Sequence, residues 1–176
     1  ANGALRLTLP RFEDLLWRGD LAFSRDGKTL AVSGRSQTIL FDTSTWKEFG
    51  RLDNPKPPQS FQPTFHQHGK TFITQFFSDG ARGVQVWDGS TWQRTARFGS
   101  ITASRGPSAI TSDCGLIALS GGRTIGLWNL QSQTKTGDFA NRADSVETMS
   151  SLAFSPQGDL LAAGTHQGVI KLWDVR

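Results

Sequence analysis

Along this chain, apolar and polar positions mark out a succession of short strands set off by turn residues, with few runs that favour a helix. The last stretch is the clearest. Ser151–Ser155 is apolar at alternate positions and stops at Pro156-Gln157-Gly158, where Pro presets its own φ and Gly is free to take positive φ. Leu160–Ala163 is a small apolar run that closes on the turn Thr165-His166-Gln167-Gly168. Val169–Val175 then alternates as far as Trp173-Asp174. Three strands and two turns are expected between Ser151 and Arg176.

The same pattern recurs upstream. Turn glycines that follow a first strand stand at Gly27, Gly69, Gly115 and Gly158, spaced by 42, 46 and 43 residues. The ends of the third strands, Phe41-Asp42, Trp87-Asp88, Trp128-Asn129 and Trp173-Asp174, are spaced by 46, 41 and 45. Two independent landmarks share one period, which predicts four repeats. The strands expected in each, a to d, are Leu21–Ser24, Thr29–Ser33, Thr38–Phe41 and Glu48–Leu52 in the first. The second has Gln62–His66, Thr71–Phe77, Val84–Trp87 and Gln93–Phe98. The third has Ser108–Thr111, Leu116–Ser120, Thr124–Trp128 and Lys135–Phe139. The fourth has a, b and c only. Strands b are apolar on both faces, as sheets packed between neighbours require, and strands d carry Lys, Arg and Gln, as an exposed edge requires.

Strand, S-P-x-G turn, strand, polar turn with Gly, and a strand ending in Trp-Asp together resemble a WD40 repeat. The resemblance implies an all-β, WD40-type β-propeller with four recognisable blades of four antiparallel strands, at about 20–52, 60–98, 107–139 and 150–176. It also implies closure by an N-terminal strand. Ala4–Leu9 (ALRLTL) alternates and is expected to complete the last blade, within one chain or across two, because an unpaired strand leaves a row of open N–H and C=O groups. The whole of 1–176 reads as one propeller domain. Four blades make a tight ring, for which small a-strand residues (Ala22, Ala109, Ala153) are suited. A pair of chains forming eight blades and a fragment of a longer array are the alternatives.

The family's hydrogen-bonded set joins a c-strand Trp, a b-strand Ser or Thr, an Asp in the b–c turn and a His before strand a. Here the Trp persists at Trp87, Trp128 and Trp173, with Phe41 in its place in the first repeat. Ser33, Ser78, Ser120 and Thr165 can fill the hydroxyl position. The Asp survives at Asp79, and Gln167 replaces it in the fourth repeat. Packing must then carry more of the stability.

Composition narrows the function. The charges, +4 net over 176 residues, are scattered singly, so no polybasic nucleic-acid tail is present and nucleic acid is not the expected partner. No apolar run approaches the roughly 20 residues of a membrane span, and no membrane association is expected. The chain opens Ala-Asn-Gly without a signal peptide, and its one cysteine, Cys114, forms no internal disulfide; a cytoplasmic setting is favoured. No catalytic constellation appears: the thiol has no positioned His, carboxylates stand singly in turns, and the glycines lie between strands rather than in a phosphate loop. No cofactor and no metal are expected. His66 and His68 lie two apart but have no third ligand nearby.

The remaining candidate is a loop surface. The b–c turns carry Arg35, Arg82, Arg123 and His166, and the d–a loops add Arg18, Arg105 and Arg142. Forked guanidinium bonds from such a ring suit an acidic or phosphorylated peptide, although acidic residues of the same loops nearly cancel the charge. Trp17, in the loop Arg11–Asp20, is a candidate interface anchor. The expected role is a non-catalytic protein–protein interaction scaffold binding a peptide or protein partner on the loop face. The alternatives are a half-propeller that completes a ring by self-association as a homodimer, or with the rest of a larger chain, and, more weakly, acidic-ligand or RNA binding.

Overall fold

The computed structural model describes residues 3–9, 20–34, 37–53, 60–65, 71–78, 81–102, 106–113, 115–121, 123–140 and 147–176. Within them lie fifteen strands in four antiparallel sheets, each built by consecutive strands. The first sheet is β1 (Asp20–Phe23), β2 (Thr29–Ser33), β3 (Gln37–Asp42) and β4 (Glu48–Asp53). The second is β5 (Ser60–Phe65), β6 (Thr71–Ser78), β7 (Ala81–Asp88) and β8 (Arg94–Thr102). The third is β9 (Ser108–Ile110), β10 (Leu116–Ser120), β11 (Thr124–Asn129) and β12 (Thr134–Ala140). The last has β13 (Met149–Phe154), β14 (Leu160–Thr165) and β15 (Ile170–Asp174).

The b and c strands place apolar residues at successive positions, so a sheet can pack on both faces. Leu30, Ala31 and Val32 are all buried, and so are Ile117, Ala118 and Leu119. The second and third sheets rest by one face on the sheet before and by the other on the sheet after, while the first and last meet one neighbouring sheet each among the described residues. Ala31, Leu40 and Leu52 of the first meet Phe72 and Trp87 of the second. Ile73, Val84 and Val86 meet Ile117, Leu119 and Trp128. Ala118, Ile125 and Leu127 meet Leu161 and Ala163, with Trp173 alongside. Burying one such side chain stabilises the fold by about 1.5–3 kcal/mol. No cluster of the described residues joins the last sheet to the first.

Three turn features repeat. Where a meets b, a hydroxyl accepts the first amide of strand b and donates to a carboxylate two or four residues on. The pairs are Ser24 with Asp26, Thr111 with Asp113 and Ser155 with Asp159, each at 2.6 Å. Where c meets d, Asp42, Asp88 and Asn129 each accept the amides two and three residues on. Trp46, Trp92 and Gln133 then follow with φ of 56°, 57° and 59°. Finally, the residue after that Asp or Asn donates to the a–b turn of its own sheet: Thr43 to Lys28, Leu130 to Gly115 and Val175 to Asp159.

Two expectations are corrected. Ala4–Leu9 forms no strand, and the last sheet has three strands among the described residues. Leu5 and Leu7 are exposed, while Leu9 packs against Leu30, Val32, Ile39 and Phe41 on the rear face of the first sheet. The segment thus docks through Leu9 alone of its three leucines and does not pair as a fourth strand. Arg82, expected in a turn, lies inside β7, its backbone paired with Phe77 and Ile101, because the β6–β7 hairpin closes as tightly as Ser78 opposite Ala81.

Candidate binding face

In sheets of consecutive antiparallel strands the b–c turns all leave one end and the a–b and c–d turns the other. At the a–b and c–d end the carboxylates are engaged by their own turns. Asp42 is pulled down to about 2 by the Ser44 hydroxyl and then the Thr45 amide. The Ser24 hydroxyl and the Lys28 amide also lower Asp26. At Asp174 the backbone amide of Arg176, followed by its guanidinium, does the same. Lys28, Lys47 and Lys135 share this end, so it is polar without being uniformly acidic.

At the b–c end two expected site residues are described with their side chains. Arg123 is exposed in the turn from β10 to β11, where Gly121 N–H donates to Thr124 C=O at 2.7 Å. His166 is exposed in the turn from β14 to β15, shaped by Thr165 N–H on Val169 C=O and by Gly168 at φ 78°. Only a residue tolerant of left-handed backbone suits that last position. The two turns are equivalents in neighbouring sheets. His166 is also fixed to the segment entering β13, since its amide donates to Thr148 C=O at 3.0 Å and Thr148 N–H donates to the Gln167 side chain at 3.2 Å. Gln167 thereby supplies the acceptor oxygen at the site where the family pattern has Asp. Lys171 and Glu147 form an ion pair beside it, which leaves the local charge unchanged.

Arg18, Arg35, Arg105, Arg142 and Trp17 lie outside the described residues, as do Cys114, His66 and His68; of Arg82 only the backbone is described. Sequence reasoning missed one polar network. The Trp87 indole N–H donates to Thr74 Oγ1 at 3.0 Å, and that hydroxyl donates to Gln85 Oε1 at 3.2 Å, all three side chains buried. Thr74 stands four residues before the expected Ser78. Its signal was a polar residue inside an apolar b strand, directly opposite another, Gln85, on strand c. In the first sheet, where Phe41 replaces Trp, Ser33 and Thr38 bond to each other at 2.9 Å.

Among the described residues no group of three or more His, Cys, Asp or Glu is placed to hold a metal ion, and no helix is long and apolar enough to cross a membrane. The arrangement offers cationic and imidazole donors on a turn surface, suited to binding. Residues 140–174 match the family model WD40, described as WD domain, G-beta repeat. The match spans the segment before β13 and the whole of the last sheet. Among curated proteins none matches the chain.

Proposed function

We propose, from the WD40 repeat at residues 140–174, that the chain is a non-catalytic interaction platform that recognises a peptide or protein partner at its b–c end. WD40 repeats generally mediate protein–protein interactions. The observation that carries the reading is the pair of exposed basic side chains, Arg123 and His166, in equivalent turns of neighbouring sheets. The partner surface they suit is acidic or phosphorylated, because a guanidinium binds carboxylate or phosphate through two parallel bonds. A cytoplasmic setting goes with this reading. Titrating a phosphoserine peptide and its unphosphorylated twin by calorimetry tests it. Losing each side-chain hydrogen bond to the phosphate costs up to about tenfold in affinity. Arg123→Ala with His166→Ala is expected to weaken phosphopeptide binding about 100-fold with an unchanged melting temperature. Equal binding by the double variant and the native chain would overturn the loop-face reading.

A second reading, a half-ring that assembles with a copy of itself or with more sheets, is favoured by the open last sheet. Among the described residues that sheet lacks a fourth strand, and Ile170 and Leu172 on β15 are 77% and 66% exposed.

A further inference from the structure

In the three four-stranded sheets the outer strand slips by one residue where it passes the c-strand aromatic. Phe41 stands opposite Glu48, Trp87 opposite Arg94 and Trp128 opposite Lys135. Two residues back along strand c, Ile39, Gln85 and Gly126 stand opposite Arg51, Arg97 and Asp138. The slip therefore leaves each pair of outer-strand residues three apart on one face of its sheet. In the first and third sheets that pair is an ion pair, Arg51 Nε with Glu48 Oε1 at 2.5 Å and Lys135 Nζ with Asp138 Oδ1 at 2.7 Å. In the second sheet both members are arginines. Both are exposed, and among the described residues neither Arg94 nor Arg97 takes part in an ion pair. Arg97 is still held in place, because its guanidinium lies over the buried Phe76 ring, 4.5 Å from the centroid. A stacked guanidinium keeps its N–H donors at its edge and gives up little freedom for each bond it makes. The facing strand of the first sheet brings no acid to this side. Strand β4 turns Phe49 to Trp92, with 5.7 Å between centroids, and Leu52 to Phe72 and Trp87. Its Glu48 and Arg51 lie on the other face, opposite Phe41 and Ile39.

We infer that Arg94 and Arg97 together form a binding site for a phosphate dianion. The equivalent pairs in the other two sheets carry no net charge, whereas two guanidiniums repel until two negative charges offset them. A carboxylate brings one. A phosphate monoester brings about −1.5 to −2 at neutral pH, with three acceptor oxygens. Both arginines can then make forked, charge-assisted bonds to one group. Arg94 directly follows the c–d turn of its sheet, so the site lies toward the opposite end from the b–c turns and is separate from Arg123 and His166.

The experiment follows the Nε–H resonances of Arg94 and Arg97 by NMR while inorganic phosphate, a phosphoserine peptide or acetate is added at constant ionic strength. Both resonances are expected to shift together and saturably with phosphate, and acetate is expected to bind at least about tenfold more weakly. Arg94→Gln is expected to lower phosphate affinity about tenfold. Arg94→Glu rebuilds in the second sheet the Glu–Arg pair of the first and leaves Arg97 on Phe76. It is expected to lower the affinity at least about 100-fold with no loss of melting temperature. Tighter binding of the peptide than of inorganic phosphate, read at these two resonances, supports the site with the anion carried on a partner chain; equal affinity supports it with free phosphate. Resonances that do not move with phosphate would overturn the proposal, as would phosphate affinity unchanged by Arg94→Glu or acetate binding as tightly as phosphate. Arg94→Glu leaves Arg123 and His166 in place, so this result and the peptide titration at the b–c end fail independently.

Discussion

The third sheet and the last are built from nearly the same residues and end in different states. Both run an apolar b strand into a c strand of the form Ile-x-Leu-Trp. In the third, Ile125 and Leu127 are 0% and 5% exposed; in the last, Ile170 and Leu172 are 77% and 66% exposed. The rear faces do not differ in this way, because Leu161 is as fully buried against the third sheet as Ile117 is against the second. Burial of a forward face is therefore a property of the neighbour and the outer strand, not of the strand that carries it. The segment that matches the WD40 family is also the one whose packing is incomplete.

The sharpest way to break this comparison is to truncate the same residue in both sheets. Ile125→Ala removes a fully buried side chain and is expected to cost about 2–5 kcal/mol in urea denaturation. Ile170→Ala, at the matching position, is expected to stay within about 0.5 kcal/mol of the native chain. A cost for Ile170→Ala close to that of Ile125→Ala would mean that another chain covers the last sheet in solution. A smaller contrast lies one residue along each c strand. The Trp128 ring folds over Gly126, and a Cβ there would stand 2.3 Å from its Cη2. Gly126→Ala must displace the indole, an overpacking expected to cost about 1–3 kcal/mol. Lys171→Ala at the equivalent site gives up the ion pair with Glu147, a contact worth about 1 kcal/mol or less.

Much of the fold was legible because a strand that packs on both sides must be apolar at successive positions. Strands β2 and β10 fall at the bounds the pattern predicts, and most of the others within one or two residues. The resemblance to WD40 repeats was legible for a related reason, since the turn residues and the Trp that mark it also do the local bonding. Ala4–Leu9 misled because alternation reports that one side of a segment is apolar and not what that side meets; Leu9 meets the first sheet. Arg82 misled because a two-residue turn and a longer one look alike when charged residues continue into the strand. Among the site residues, Arg123 and His166 stand in the turns that Gly-rich sequence predicted. The Thr74–Trp87–Gln85 bonds were not legible, because polar residues inside an apolar strand acquire partners only once the register is set.

The smallest effect concerns the turn that each c strand enters. Asp42 and Asp174 occupy the same position, but Asp42 is held by the amides and hydroxyls of a closed c–d turn, whereas Asp174 is held by the Arg176 amide and guanidinium at the end of the chain. Both carboxylates sit below the ordinary value, Asp42 at about 2. A depressed carboxylate stabilises the fold above its unfolded value of 3.8 and loses that contribution as pH falls through its folded value. Asn129 shows that an amide oxygen can accept the same two bonds without charge. Asp42→Asn is thus expected to keep the turn and to remove the titration. Urea midpoints of the native chain and the variant should run parallel above about pH 5, and between there and about pH 2 the native chain should lose stability that Asp42→Asn retains. Identical acid limbs for the two proteins would show that the Ser44 and Thr45 bonds do not discriminate between carboxylate and carboxylic acid.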